Sequence, residues 1–327
     1  MEYELKQPAL LHALLLDGQG GAIALNSEQI SQRSELDGEV WIHLDYTEKE
    51  SHTWLEEHSG LSQSAIDTLL ADKVRPRTTR LDDELLIALR GVNLNVNSDP
   101  EDMVSIRLLL KQNYLITTRK RRLQSVTQLV EQLQQGKGPH TLSDLITELA
   151  DGLTERIGRL VEELDVRLES LEEQLEQQGS KSLREPLAEM RTTNARLKRY
   201  LGPQKEALTQ LIASKSTLLN DDHRASLFET NDHLTRHIED LDMLRERAGA
   251  AQDSIMAQLS EQLNERLYLL AIISGLFLPL GFLTGLLGVN LGGIPGADNS
   301  SAFFIFLAAL SGTTGLLVYL LKRKGWL

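Results

Sequence analysis

Apolar positions change their period twice along this chain. Up to about residue 120 they come in short runs closed by turn residues: Leu10–Leu16 before Asp17-Gly18, Gly21–Leu25 before Asn26, Val40–Leu44, then Leu85–Leu94 and Val104–Thr118. Runs of this length with such stops read as strands, and the stretches around Trp54 and from Ala65 to Leu70 read as helices between them. Residues 1–120 are therefore expected to form a small α/β domain. From Leu123 onward the spacing becomes three and four. Leu142, Leu145, Leu149, Leu153, Ile157, Leu160, Leu164, Leu168, Leu171 and Leu175 define one amphipathic helix of about nine or ten turns. Gly179 should end it, Ser182 is the candidate cap of a second helix, and Gly202-Pro203 is expected to break or kink that second helix. A third helical pattern starts near Asp221 and meets no stop before the chain turns wholly apolar. Residues 121–266 thus read as a stalk or funnel of long helices with no low-complexity linker.

The last change of period is a loss of charge. Leu267 to Ala297 carries no charged side chain, and only Asp298 interrupts the stretch from there to Leu321. Leu267–Leu287 and Ala302–Leu321 are each long enough to cover about 30 Å as a helix at ~1.5 Å per residue, the thickness of a bilayer core. Residues 267–327 read as a two-helix transmembrane domain whose first span continues the third long helix. The fold class expected is an α+β membrane protein: an N-terminal cytoplasmic α/β domain, a long helical stalk and two C-terminal transmembrane helices.

Composition alone hides this, because 25% charged residues and a mean hydropathy of −0.23 are values of a soluble protein. The formal net charge is −13, and because residues 266–327 contribute Arg266, Lys322, Arg323 and Lys324 against Asp298 alone, a net +3, residues 1–265 carry −16. So acidic a domain repels nucleic acid and attracts cations. Met1–Pro8 lacks the basic-then-apolar pattern of a cleaved signal, which leaves the acidic domain in the cytoplasm. Lys322-Arg323-Lys324 after the second span places the C-terminus there too, with the inter-span loop outside. With no cysteine, disulfides, thiolate catalysis and Cys-based zinc sites are excluded.

Projected at helical steps, the third helix is two-faced. Ala250, Asp253, Ala257, Ser260, Asn264, Leu267, Ala271, Ser274, Leu278, Gly281 and Gly285 form a row that is small or polar through most of its length. Leu276, Leu280, Leu283 and Leu287 form a bulky row on roughly the opposite face, where lipid would reward them. A small-residue row serves either as a packing seam or as a water-lined wall. A single hairpin offers no second helix pair for such a seam, so identical copies must supply it, and copies in a ring enclose an axis. Asn264, Leu267, Ala271, Ser274, Leu278, Gly281 and Gly285 then become pore-lining positions, and the polar ones among them become rings of oxygens. Pro279 cannot donate to the Gly275 carbonyl, which should find water, Ser274 or Thr284.

The tripeptide Gly288-Val289-Asn290 closes the first span. With the following Leu291-Gly292-Gly293-Ile294-Pro295-Gly296, the preceding Phe282-Leu283-Thr284-Gly285-Leu286, a second span and a tail ending Trp326-Leu327, it resembles the CorA-type metal ion transporter family. Valine in place of the methionine of that family's usual signature resembles its zinc-transporting branch. The likeness covers the full chain. It implies a homopentamer in the cell inner membrane, with the first span around the pore, Gly288, Val289 and Asn290 at its outer mouth, and Zn2+ uptake coupled to protons.

The residues temper that implication. Zinc held directly wants His, Cys or carboxylate ligands, and proton coupling wants a titratable group in the path; Leu267–Ala297 offers only the hydroxyl of Tyr268. The pore should therefore pass an ion that keeps much of its water. The nearest cation-attracting groups are Asp298 at the mouth and Asp253, Glu261 and Glu265 at the inner end. His233 and His237, one turn apart with Asp240 on the same face, are weaker metal candidates, and His52 and His58 weaker still. Gly18-Gln19-Gly20-Gly21 reads as a hairpin turn and Arg119–Arg122 as a solvated turn before a helix. No catalytic constellation assembles, so an enzyme is not expected, nor a cofactor. The competing readings are a magnesium or other divalent-cation channel of the same family and, in another class, a membrane-anchored helical signalling or scaffold protein.

Overall fold

The computed structural model describes residues 9–33, 36–72, 74–81, 84–178, 182–288 and 299–325. The chain divides into two compact units, the first ending at Gln252 and the second starting at Asp253.

The first unit is built on a seven-stranded mixed sheet in the order β2-β1-β3-β7-β6-β5-β4. Its strands are β1 (Leu10–Leu16), β2 (Ala22–Ala24), β3 (Glu39–Asp45), β4 (Arg77–Leu81), β5 (Glu84–Gly91), β6 (Val104–Lys111) and β7 (Tyr114–Arg119). Only the central β3–β7 pair is parallel among the strand pairs described. Val104–Thr118, a single run by sequence, is a hairpin: Lys111 pairs with Tyr114 across Gln112-Asn113, two polar residues that stop the apolar run. β4 escapes the sequence reading because Arg77-Thr-Thr-Arg-Leu81 is largely exposed and carries almost no apolar signal. It forms because β5 offers an unpaired edge beside it. The glycine turn behaves as expected. Gln19 and Gly21 donate their backbone N–H groups to one Asp17 Oδ1 at 2.7 and 2.8 Å, and Gly18 and Gly20 take φ of 71° and 94°, values that favour glycine.

Short helices α1 (Ser27–Ser31), α2 (Lys49–Glu57) and α3 (Gln63–Leu70) cover one face of the sheet. Ile30, Trp54, Leu55, Ile66 and Leu69 pack there on Val40, Ile42, Leu44, Leu86, Leu109 and Ile116. The carbonyl end of α3 is held by the sheet. Thr118 Oγ1 donates to the Leu69 carbonyl at 2.7 Å and the fully buried Arg107 to that of Ala71, its guanidinium 4.3 Å from the Tyr46 ring. These donors satisfy carbonyls that a helix end leaves orphaned.

The long helices follow: α4 (Gln124–Gln134), α5 (Leu142–Gln178), α6 (Arg184–Ala213) and α7 (Asp221–Gly288). The leucine repeat of α5 is buried at the spacing predicted. Its Leu153 fills the space where Gly91 lacks a side chain, 2.5 Å from where a Cβ would stand. The sequence's second Gly-Val-Asn, Gly91-Val92-Asn93, is therefore a packing element. α6 corrects two expectations. Its first turn is preceded by Leu183, with no side-chain cap, so Ser182 does not serve. Pro203 lies inside the helix without breaking it. One missing N–H removes one helical bond; against that, Gln204 is buried and accepts from the Arg90 N–H at 2.7 Å, and Thr78 Oγ1 donates to the Ala207 carbonyl at 2.8 Å.

A buried histidine gives the first unit a pH dependence. His43, fully buried in β3, makes a 2.7 Å contact from Nδ1 to Thr117 Oγ1 and stacks on His12 of β1, with Arg119 of β7 close by. Burial, then Arg119, then His12 hold it well below the ordinary 6.5, and burial and Arg119 lower His12 as well. The unfolded chain then takes up protons first, so stability present above about pH 6.5 is lost as pH falls through that value towards the folded pKa. We expect a lower urea midpoint at about pH 5 than at about pH 7.5. His43→Gln should shrink the difference, and a wild-type midpoint that ignores pH over this range contradicts the account.

Candidate functional site

In the second unit, α7 and α8 (Ala302–Arg323) are the two helices long and apolar enough to cross a membrane among the described residues. α7 carries the candidate row. Its glycines need no special backbone here. They keep a face small: a Cβ built on Gly281, Gly285 or Gly288 meets nothing within 4 Å. Asn264, Leu267, Ala271, Ser274, Leu278, Gly281 and Gly285 are all exposed.

The bulky row behaves differently from its sequence projection. Ile272 is buried and Leu276, Pro279, Leu280 and Leu283 are half-buried, while on α8 Phe306, Leu310, Thr313, Thr314 and Leu317 are half-buried. We read these two stripes as the faces the two helices turn towards each other. Leu276, Leu280 and Leu283 thus belong to the hairpin's own seam instead of lying open to lipid. The small row is uncovered, and so are the bulky Leu269, Leu270, Phe277, Phe282 and Leu286 of the same helix, which are the side chains left for lipid.

Thr284 also differs from expectation. Its Oγ1 donates to the carbonyls of Leu280 at 3.0 Å and Gly281 at 3.1 Å, one turn back, and not to the Gly275 carbonyl that Pro279 frees. Gly288 is the last residue of α7 and is exposed; Val289, Asn290 and Asp298 lie outside the described residues. Asp253, Glu261 and Glu265 are exposed on the same helix. Between Leu267 and Gly288 the side chains offer hydroxyls and no carboxylate or imidazole. Such a wall can exchange hydrogen bonds with the water around a cation but cannot strip zinc of its shell by direct ligation.

The histidine pair sits in the first unit, in a cleft of about 770 Å3 between α5 and α7. His237 lies against Gly158, whose missing Cβ would stand 2.6 Å from Nε2, and its Nδ1 is 3.9 Å from Asp240. Burial lowers its pKa against the pull of Asp240. Among the described residues no three His, Cys, Asp or Glu side chains converge as metal ligands. The cleft also gathers Asp151, Glu155, Glu162 and Asp165 of α5, with Arg247 of α7 bridging Asp165 and Glu172 at 2.6 Å each. Sequence reading passed over this acidic row. Its signal was there, in carboxylates recurring every three or four residues beside the leucine repeat, but a charged helix flank is usually only solvated.

Comparison with known proteins places these features in a wider group. Residues 37–323 match the family model described as CorA-like Mg2+ transporter protein. The chain is 38% identical over 321 residues to the divalent cation transporter CmaX of Pseudomonas aeruginosa, covering 97% of each. It is 34% identical over 324 residues to the zinc transport protein ZntB of Pectobacterium carotovorum, covering 99% of this chain and 98% of that one. The structure of full-length CmaX superposes with a TM-score of 0.86 at 36% identity, covering 98% of both chains.

Proposed function

The chain belongs to the CorA-like Mg2+ transporter family, and from that membership we propose that it is a homopentameric transporter carrying Zn2+ inward across the cell inner membrane, coupled to protons. Divalent-cation transport is common ground among the relatives' names; zinc is supported by the ZntB relatives and by valine at position 289. The observation that carries the reading is the uncovered small-residue face of α7. A hairpin whose bulky stripes already meet each other needs further copies to cover that face, and copies around an axis make it the wall of a path.

In this reading Asn264, Ser274 and the intervening small positions line the path, and Gly288, Val289 and Asn290 form its outer mouth. Asp298 at the mouth and Asp253, Glu261 and Glu265 at the inner end raise the local cation concentration. Lys322-Arg323-Lys324 keeps the C-terminus cytoplasmic, with the acidic N-terminal domain on the same side. The domains proposed are 1–120 as the α/β head, 121–266 as the stalk and 267–327 as the membrane part. No enzyme chemistry and no cofactor enter.

A path without a titratable side chain sets the terms of the test. Proteoliposomes holding the purified protein are expected to take up Zn2+ faster than Mg2+, and faster still when the interior is alkaline. Mg2+ uptake matching that of Zn2+ would favour the second reading, a channel for divalent cations in general, which the absence of direct zinc ligands along the described path supports. Zinc uptake indifferent to the pH gradient removes proton coupling and leaves the path itself untouched.

A further inference from the structure

The loop 92–103 between β5 and β6 is tied down upon itself, yet it offers apolar side chains to water. Buried Asn93 accepts at Oδ1 from the N–H and Nδ2 of Asn95 at 3.3 and 2.7 Å, and its own N–H donates to the Pro100 carbonyl at 3.2 Å. Asn95 Nδ2 also reaches the Arg122 carbonyl at 3.1 Å. On this frame Leu94 remains 57% exposed and Val96 89%. A loop pinned in this way cannot fold those side chains inward, so their exposure is built in.

Arginines stand around them. Arg156 and Arg159 of α5 line, with Leu94 and Glu163, a groove of about 340 Å3; Arg159 is paired with Glu155 at 3.0 Å, and Arg122 is exposed beside the groove. Arg156 is held by Ser125 Oγ, the Gly152 carbonyl and Gln128 Oε1, at 3.1, 2.7 and 2.7 Å. All three acceptors are uncharged, so its positive charge is oriented without being neutralised.

The other flank of α5 has the complementary character. The cleft it shares with α7 has Val161, Leu244 and the 56% exposed Met243 as apolar lining, and Asp151, Glu162, Asp165 and Asp240 outnumber Arg236 and Arg247 around them. At about 100° per residue, Val161 and Asp165 on the cleft side and Arg156 and Glu163 on the groove side fall on opposite flanks of one helix. A single copy therefore cannot seat its own loop in its own cleft.

We propose that these two surfaces join consecutive copies of the chain: the Leu94–Val96 loop of one protomer, with its arginine rim, docks in the acidic α5/α7 cleft of the next. The contact is head-to-tail, the kind that closes into a ring, and it pairs apolar tip with apolar floor inside a border of opposite charge. It rests on the ring-shaped oligomer proposed above and adds which faces meet.

The absence of cysteine makes a clean test possible. Val96→Cys and Met243→Cys replace exposed side chains, and a short bis-maleimide is applied to the full-length protein in membranes. The double variant should give a ladder of covalent oligomers up to the full ring. Each single variant should stay a monomer on a denaturing gel, and the two single variants assembled together should give dimers only. Either single variant linking to itself overturns the proposal, as does a double variant that fails to link while native mass still counts several subunits. A native mass of one subunit overturns the ring reading as well.

Discussion

Alanine in place of Asn290 should reduce cation uptake about a hundredfold, or abolish its selectivity among divalent ions, while the thermal midpoint of the N-terminal unit stays where it was. The argument is one of small terms multiplied. A hydrogen bond that an amide oxygen accepts from the water shell of an ion is worth about 1 kcal/mol net, and every 1.4 kcal/mol is about a factor of ten. In a ring each copy contributes one such group, so a single substitution removes several at the same level of the path. Gly288, two positions before it in the same tripeptide, is the last residue of α7. The check is uptake into proteoliposomes beside a melting curve of the same preparation. Normal uptake and normal selectivity in Asn290→Ala remove the tripeptide from the mouth, and with it the main functional content of the signature.

Leucine at Gly281 should close the path, with a loss on the order of a hundredfold or complete. Within one chain a Cβ at this position meets nothing within 4 Å, so the variant has no reason to misfold as a subunit. The obstruction arises only where copies face one another: a girdle of isobutyl groups narrows the axis and, being apolar, expels the water that a hydrated cation must carry with it. Leu276→Ala is the control. Leu276 is half-buried on the stripe of α7 assigned to the seam with α8, so its truncation should lower stability by about 0.5–3 kcal/mol without obstructing the path. If Gly281→Leu conducts like the parent and Leu276→Ala does not, the two faces of α7 have been exchanged, and the small row is a seam after all.

Much of the architecture was legible in one dimension. The leucine repeat from Leu142 to Leu175 marked α5 almost to its ends because a buried helix stripe has a period that no other element shares. The charge-free stretches marked both candidate spans for an equally simple reason: hydrocarbon tolerates few charges over that length. The tripeptide Gly288-Val289-Asn290 could be singled out by its position between the two charge-free stretches, while its place at a pore mouth remains the proposal made above.

Other elements depended on neighbours. β4 exists because β5 has an edge to share, not because Arg77–Leu81 has a strand's composition. Pro203 is tolerated because Gln204 and Thr78 tie that stretch of α6 to the sheet. Leu276, Leu280 and Leu283 of α7 are drawn into the hairpin and Thr284 turns back on its own helix, neither of which a projection could foretell. His43 looked like one more polar residue in a strand until burial, Arg119 and His12 were found around it.

The sequence by itself determined where the helices run, which stretches are free of charge and which tripeptide follows the first of them, because these follow from periodicity and from the cost of charge in hydrocarbon, properties local to the chain. Only the tertiary structure decided which stripe of α7 is covered and which loop and cleft stand open on the first unit, because burial depends on residues distant in sequence arriving at the same place.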